Sequence, residues 1–170
     1  MFISQLMGAI HCGGDQAEKA ALTLGLLIER ERTNSPAGDD GGIGSILDQK
    51  MAKRRLSEVE LANAVEELIR YVSETPTPHP TAIWALTKSY DVRMVRPLME
   101  LMTRLLPDAR QENAAYNALS GLMNTGVSSE LREESLAMIR EAAKQGFGRV
   151  KEAAVGYLNT FFGPDQGGKP

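Results

Sequence analysis

Between His79 and Leu119 the apolar positions recur in a way that no single helix explains. Ala82, Ala85 and Leu86 share one helical face, a polar turn follows at Asp91, and Val95, Leu98, Leu101 and Met102 share the face of a second helix. A break at Pro107 and Asp108 ends that helix, after which Ala115, Ala118 and Leu119 repeat the first spacing. Further on, Ala154, Tyr157 and Leu158 echo it again, with His79, Glu112 and Lys151 at the leading position of each set. Alanine on a contact stripe lets two helices approach closely, and leucine one position further fills the groove between them. No helix pair buries such a stripe alone, so neighbouring pairs must stack into one continuous core.

The rest of the chain reads as helices separated by strong breakers. Residues 1–10 predict a short apolar helix that covers one end of the array, closed by Gly13 and Gly14, with Asp15 as N-cap of the next helix. That helix spans residues 16–32, where Ala20, Ala21, Leu24, Leu27 and Ile28 recur at helical spacing. Residues 33–44, rich in Gly, Pro and Asp, predict a flexible loop. A short helix follows within residues 43–53, built on Ile46, Leu47 and Met51, and its end carries Lys50, Lys53, Arg54 and Arg55 as a solvated basic run. Ser57 and Glu60 have the spacing of a capping box, and the helix it starts runs to about Ser73 on Leu61, Val65, Leu68, Ile69 and Val72. Prolines at 76, 78 and 80 break the chain, and Pro80 suits the first turn of the next helix. Residues 129–144 and 149–162 predict the last two helices, with Phe147 plugging the joint between Gly146 and Gly148. Gly163 and Pro164 stop the second of them, and residues 163–170 are expected to be a disordered tail. The expected organisation is one helical-repeat domain over residues 1–170.

Composition sharpens this reading. Aromatics make up only 5% of the 170 residues, while Ala, Leu and Met are abundant, which favours an all-α fold. The net charge of −3 argues against a general nucleic-acid surface, which needs an excess of Lys and Arg. The lone Cys12 has no internal disulfide partner, so a reducing, cytoplasmic location is expected. The apolar start lacks the positive segment of a signal peptide and is shorter than the ~20 apolar residues that span a bilayer. No membrane partner is expected.

The cadence of residues 80–119 resembles that of the HEAT repeat family. Val95, Arg96, Pro97 and Leu98 are similar to the proline-bearing start of that family's second helix, Asp91 to its turn aspartate, and Lys151 to Val155 to the start of its first helix. The family usually has a basic residue where His79 and Glu112 stand. The resemblance covers about two thirds of the chain. It implies a right-handed α-α superhelix of stacked antiparallel helix pairs. It also implies functions ranging from protein binding to DNA glycosylase or chromophore lyase activity, because one fold hosts many sites.

Candidate chemistry is sparse. His11 and His79 have no second His or Cys at metal-ligand spacing, and the aspartates at 39 and 40 lack the closing glutamate of a calcium loop. Cys12 beside His11 has no third orienting group, so an ordinary thiol is expected. Met94, Met99, Met102, Met123 and Met138 sit at helical spacing as core filler, and Trp84 is expected to be partly buried between helices. No metal, cofactor or catalytic residue is assigned. The polar positions of the second helices remain: Glu66 and Arg70, then Arg96, Glu100 and Arg104, then Glu133 and Arg140. Mixed charge there suits recognition of a protein partner, where it sets choice and orientation. The alternative is a solvated face held by i,i+4 pairs such as Arg96 with Glu100 and Glu100 with Arg104. The expected function is a non-catalytic protein-binding module, with an immunity protein that neutralises a basic secreted toxin as its specific form. A HEAT-like enzyme and an assembly adaptor are the alternatives.

Overall fold

A computed structural model describes residues 2–33, 51 and 53–163. Among them the regular structure is all helical, with eight α-helices, three short 3-10 turns and no strand. The helices are α1 (Phe2–Cys12), α2 (Gly14–Thr33), α3 (Glu58–Glu74), α4 (Pro80–Thr87), α5 (Val95–Leu105), α6 (Glu112–Asn124), α7 (Arg132–Gln145) and α8 (Gly148–Phe162). The chain divides into two compact units, Met1–Tyr90 and Asp91–Pro170. The expected short helix of residues 43–53, apart from Met51 and Lys53, lies outside the described residues, as do the loop after Thr33 and the tail after Gly163.

In the first unit α2 is the central element and packs against α1, α3 and α4, while α3 also touches α1 and α4. Its Ala17, Ala21, Leu24, Leu27 and Ile28 are completely buried. Gly25 decides how closely α4 approaches: a Cβ built there would lie 2.4 Å from the Trp84 ring and 3.0 Å from the Ala85 Cα. The turn from α1 to α2 takes two left-handed residues in succession, Gly13 at φ 79° and Gly14 at φ 68°, a path open to glycine at little cost. That turn corrects the expected start of α2. Asp15 is not the N-cap; the helix already begins at Gly14, and Asp15 sits in its first turn, where a carboxylate faces the positive end of the dipole. Thr33, expected in the loop, is the last residue of α2.

Ser57 caps α3 as expected. Its hydroxyl accepts from the Glu60 amide at 3.2 Å, and the Glu60 carboxylate accepts from the Ser57 amide at 3.0 Å. The basic run before it is not simply solvated. Arg54 pairs with Glu60 and lies 4.0 Å from the centre of the Phe2 ring, and Arg55 pairs with Glu31. Pro80 occupies the first turn of α4, and the Lys88 ammonium reaches Glu29 of α2 at 2.7 Å.

In the second unit α6 packs against α5, α7 and α8, and α7 packs against α5 and α8. Helices that alternate along the chain therefore lie side by side, α5 with α7 and α6 with α8. The expected stripe is buried, Val95, Leu98, Leu101 and Met102 on α5 with Leu105 added to it, and Ala115, Ala118 and Leu119 on α6. Two joints use one device. Asp91 and Asp108 each accept the amide of the arginine two residues on, at 3.0 Å, and grip both sides of its guanidinium. This geometry holds the Asp108 carboxyl below its ordinary range, first through the Arg110 side chain and then through the Arg110 amide. Glu112 accepts the Arg149 amide at 3.0 Å, which places a carboxylate at the start of α8.

Two boundaries shift. The helix expected from residue 129 starts at Arg132, because the chain first makes a 3-10 turn over Gly126–Ser128 and Ser129 then caps the following bend with its hydroxyl. Phe147 does not plug the joint: it is 42% exposed, and its extended backbone only leads into α8.

Candidate functional site

Two surfaces collect the polar residues singled out above. The first lies between α1 and α3. Phe2 of α1 meets Arg54 just before α3, and His11 at the other end of α1 makes an edge-on contact with Tyr71 near the end of α3, ring centres 5.0 Å apart. The two helices therefore run in the same direction. Ile3, Met7 and Ile10 turn inward from α1 and are buried, so the amino-terminal segment does cover apolar surface. The neighbouring row, Ser4, Gly8 and His11, lines one wall of an open groove of about 690 Å³. The facing wall is a row of α3, with Glu60, Asn63, Glu67 and Arg70 at helical spacing and Glu66 beside them.

The electrostatics of that wall come from three glutamates and one arginine. Arg70 pairs with Glu67, and Arg54 with Glu60. The Ser57 amide is the chief cause that holds the Glu60 carboxyl below its ordinary range; desolvation opposes it, and Arg54 adds to the lowering. Glu66 is exposed and has no ion pair among the described residues. Two of the residues expected to bind a partner, Glu66 and Arg70, thus belong to this groove. Ser4, Gly8, His11, Asn63 and Glu67 were not anticipated.

The second surface lies in the second unit. Arg96, Glu100 and Arg104 are exposed on α5, opposite its buried stripe; on α7 Glu133 is exposed and Arg140 is half-buried. The i,i+4 pairs of the alternative reading are not formed, since neither Arg96 nor Glu100 has an ion pair among the described residues. The seven residues do not form one cluster within a unit: Glu66 and Arg70 are in the first, and the other five in the second.

Groups suited to covalent or metal chemistry are scattered. Cys12 is an exposed free thiol. The His79 ring accepts the Thr81 amide at 3.3 Å as a helix cap, and its own amide donates to the Tyr71 hydroxyl. Among the described residues no three His, Cys, Asp or Glu side chains are grouped to hold a metal, and no helix is long and apolar enough to cross a membrane. Of the methionines expected in the core, Met94 and Met102 are fully buried, whereas Met99, Met123 and Met138 are only half-buried; Trp84 is half-buried on Gly25. Compared with known proteins, the chain matches no family model, no curated protein and no solved structure.

Proposed function

We propose that the protein is a non-catalytic recognition module, a HEAT-like stack of helix pairs whose charged helix faces bind another protein. One observation carries this reading. The charges of Arg96 and Glu100 on α5 are not consumed by the fold: Val95, Leu98, Leu101, Met102 and Leu105 are turned inward, while Arg96 and Glu100 stand exposed without an ion pair among the described residues. Exposed, unpaired charge on a rigid helix gives a partner both orientation and selectivity at little structural cost. The side-by-side placement of α5 with α7 and of α6 with α8 is what a repeat stack requires.

The partner class that fits best is a basic secreted toxin neutralised in the cytoplasm, since a chain of net charge −3 attracts a basic enzyme over distance. Co-expression with the product of the adjacent gene tests this. Growth arrest by that product, relieved by this protein, is expected; arrest that persists, or a harmless neighbour, contradicts the toxin assignment.

A further inference from the structure

We infer that the groove between α1 and α3 is a docking site for a short basic amphipathic helix of a protein partner. The groove lies wholly within the first unit, so the inference does not rest on the reading given for α5 and α7.

Three features specify the occupant. The walls are helices whose backbone groups are already bonded internally, so they offer nothing to an extended strand, which needs a free sheet edge. What they offer is a valley between two helices running in the same direction, the shape into which the ridge of a third helix packs. Its length follows from the lining residues. Ile3 to His11 covers about 12 Å of α1 and Glu60 to Arg70 about 15 Å of α3, at 1.5 Å per residue, enough for two to three turns of a guest.

The opening sits over Gly8. Apart from its chain neighbours and its own helix backbone, no atom lies within 4 Å of the place a Cβ would occupy, and the almost wholly buried Ile3 and Met7 contribute only the floor beside it. An apolar side chain of the guest enters there, and a second, one turn along, meets Ile3. The rim sets the charge. Glu60, Glu66 and Glu67 outnumber Arg70 along the groove, and with Glu60 and Glu67 already engaged, Glu66 is left to meet a lysine or arginine of the guest. The unpaired Glu66 carboxylate repels phosphate, which disfavours nucleic acid and anionic lipid as occupants.

Selection of helix-forming peptides about 14 residues long, displayed with randomised positions on one face, against the full-length protein tests the assignment. Enriched peptides are expected to carry apolar residues one turn apart, flanked by Lys or Arg. Glu66→Lys is expected to weaken a selected peptide ~10-fold or more and to remove most of its salt dependence. Gly8→Leu, which fills the opening from a helical position, is expected to abolish binding, whereas reversal of charge at Arg96, Glu100 and Arg104 leaves it intact. Circular dichroism of each variant confirms that the helices persist. Absence of enriched peptides, enrichment of acidic or uncharged ones, or binding indifferent to both Glu66→Lys and Gly8→Leu overturns the inference.

Discussion

Replacing Gly25 by alanine sets two opposed effects against each other, and the structure decides between them. In an ordinary helix interior the change is favourable by roughly 1 kcal/mol, because alanine restricts the unfolded chain and glycine does not. At Gly25 the new methyl group would lie 2.4 Å and 2.9 Å from two carbons of the Trp84 ring and 3.0 Å from the Ala85 Cα. The ring can tilt, but the Cα belongs to the backbone of α4, so the two helices must part. Overpacking of this kind costs about 1–3 kcal/mol, and a backbone contact puts it in the upper part of that range. The net expectation is a loss of about 1–2 kcal/mol, or roughly 3–6 °C in Tm for a chain of this size. Gly8→Ala is the internal control. It is the same substitution in a neighbouring helix, with nothing within 4 Å of the new methyl, and should stabilise by about 0.5–1 kcal/mol. Urea unfolding followed by the fluorescence of Trp84, the sole tryptophan, reads the unit that holds all these residues. If Gly25→Ala is as stable as the unmodified protein while Gly8→Ala behaves as expected, the close crossing of α2 and α4 is wrong.

Two further outcomes follow from the caps. Ser57→Ala removes the hydroxyl that accepts the Glu60 amide and should cost about 1 kcal/mol in the same unfolding assay, with Ser57→Asp restoring most of it. The Asp108 carboxyl, held down by Arg110, should titrate below 3.8 by NMR and move upward in Arg110→Gln. Because the folded state lowers its pKa, its contribution is present above pH 3.8 and is lost as the pH falls through the folded value; a midpoint at or above 3.8 in the unmodified protein contradicts the bidentate grip.

What the sequence disclosed and what it hid divide along a physical line. The Ser57 box, the break before Pro80, the aspartate turns and the Ala–Leu stripes are local chemistry. Each depends on residues within a turn or two of one another, and each appears where expected. Asp15 is not the cap because two left-handed glycines let the helix begin at Gly14, two residues earlier than a cap at Asp15 allows. Phe147 was misplaced because an aromatic between glycines reads as buried, whereas burial depends on what lies opposite. The groove was hidden for the same reason on a larger scale. Its walls are polar rows, Ser4 with Gly8 and His11 and Glu60 with Asn63 and Glu67, that are unremarkable separately. Only the packing of α1 and α3 on α2 brings them together, and that contact spans more than forty residues of chain. The surface charges of α5 and α7 were legible, because an amphipathic helix declares its outer face; what they bind is not written in that pattern.

If the protein recognises a partner through Arg96, Glu100 and Arg104, removing those charges must release that partner. Purification from the native host with unmodified protein and with Arg96→Glu, Glu100→Arg and Arg104→Glu combined, side by side, tests it most directly. One stoichiometric partner is expected with the unmodified protein and none with the variant, whose helicity is unchanged. Recovery of no partner with the unmodified protein, or of the same partner with both, contradicts it.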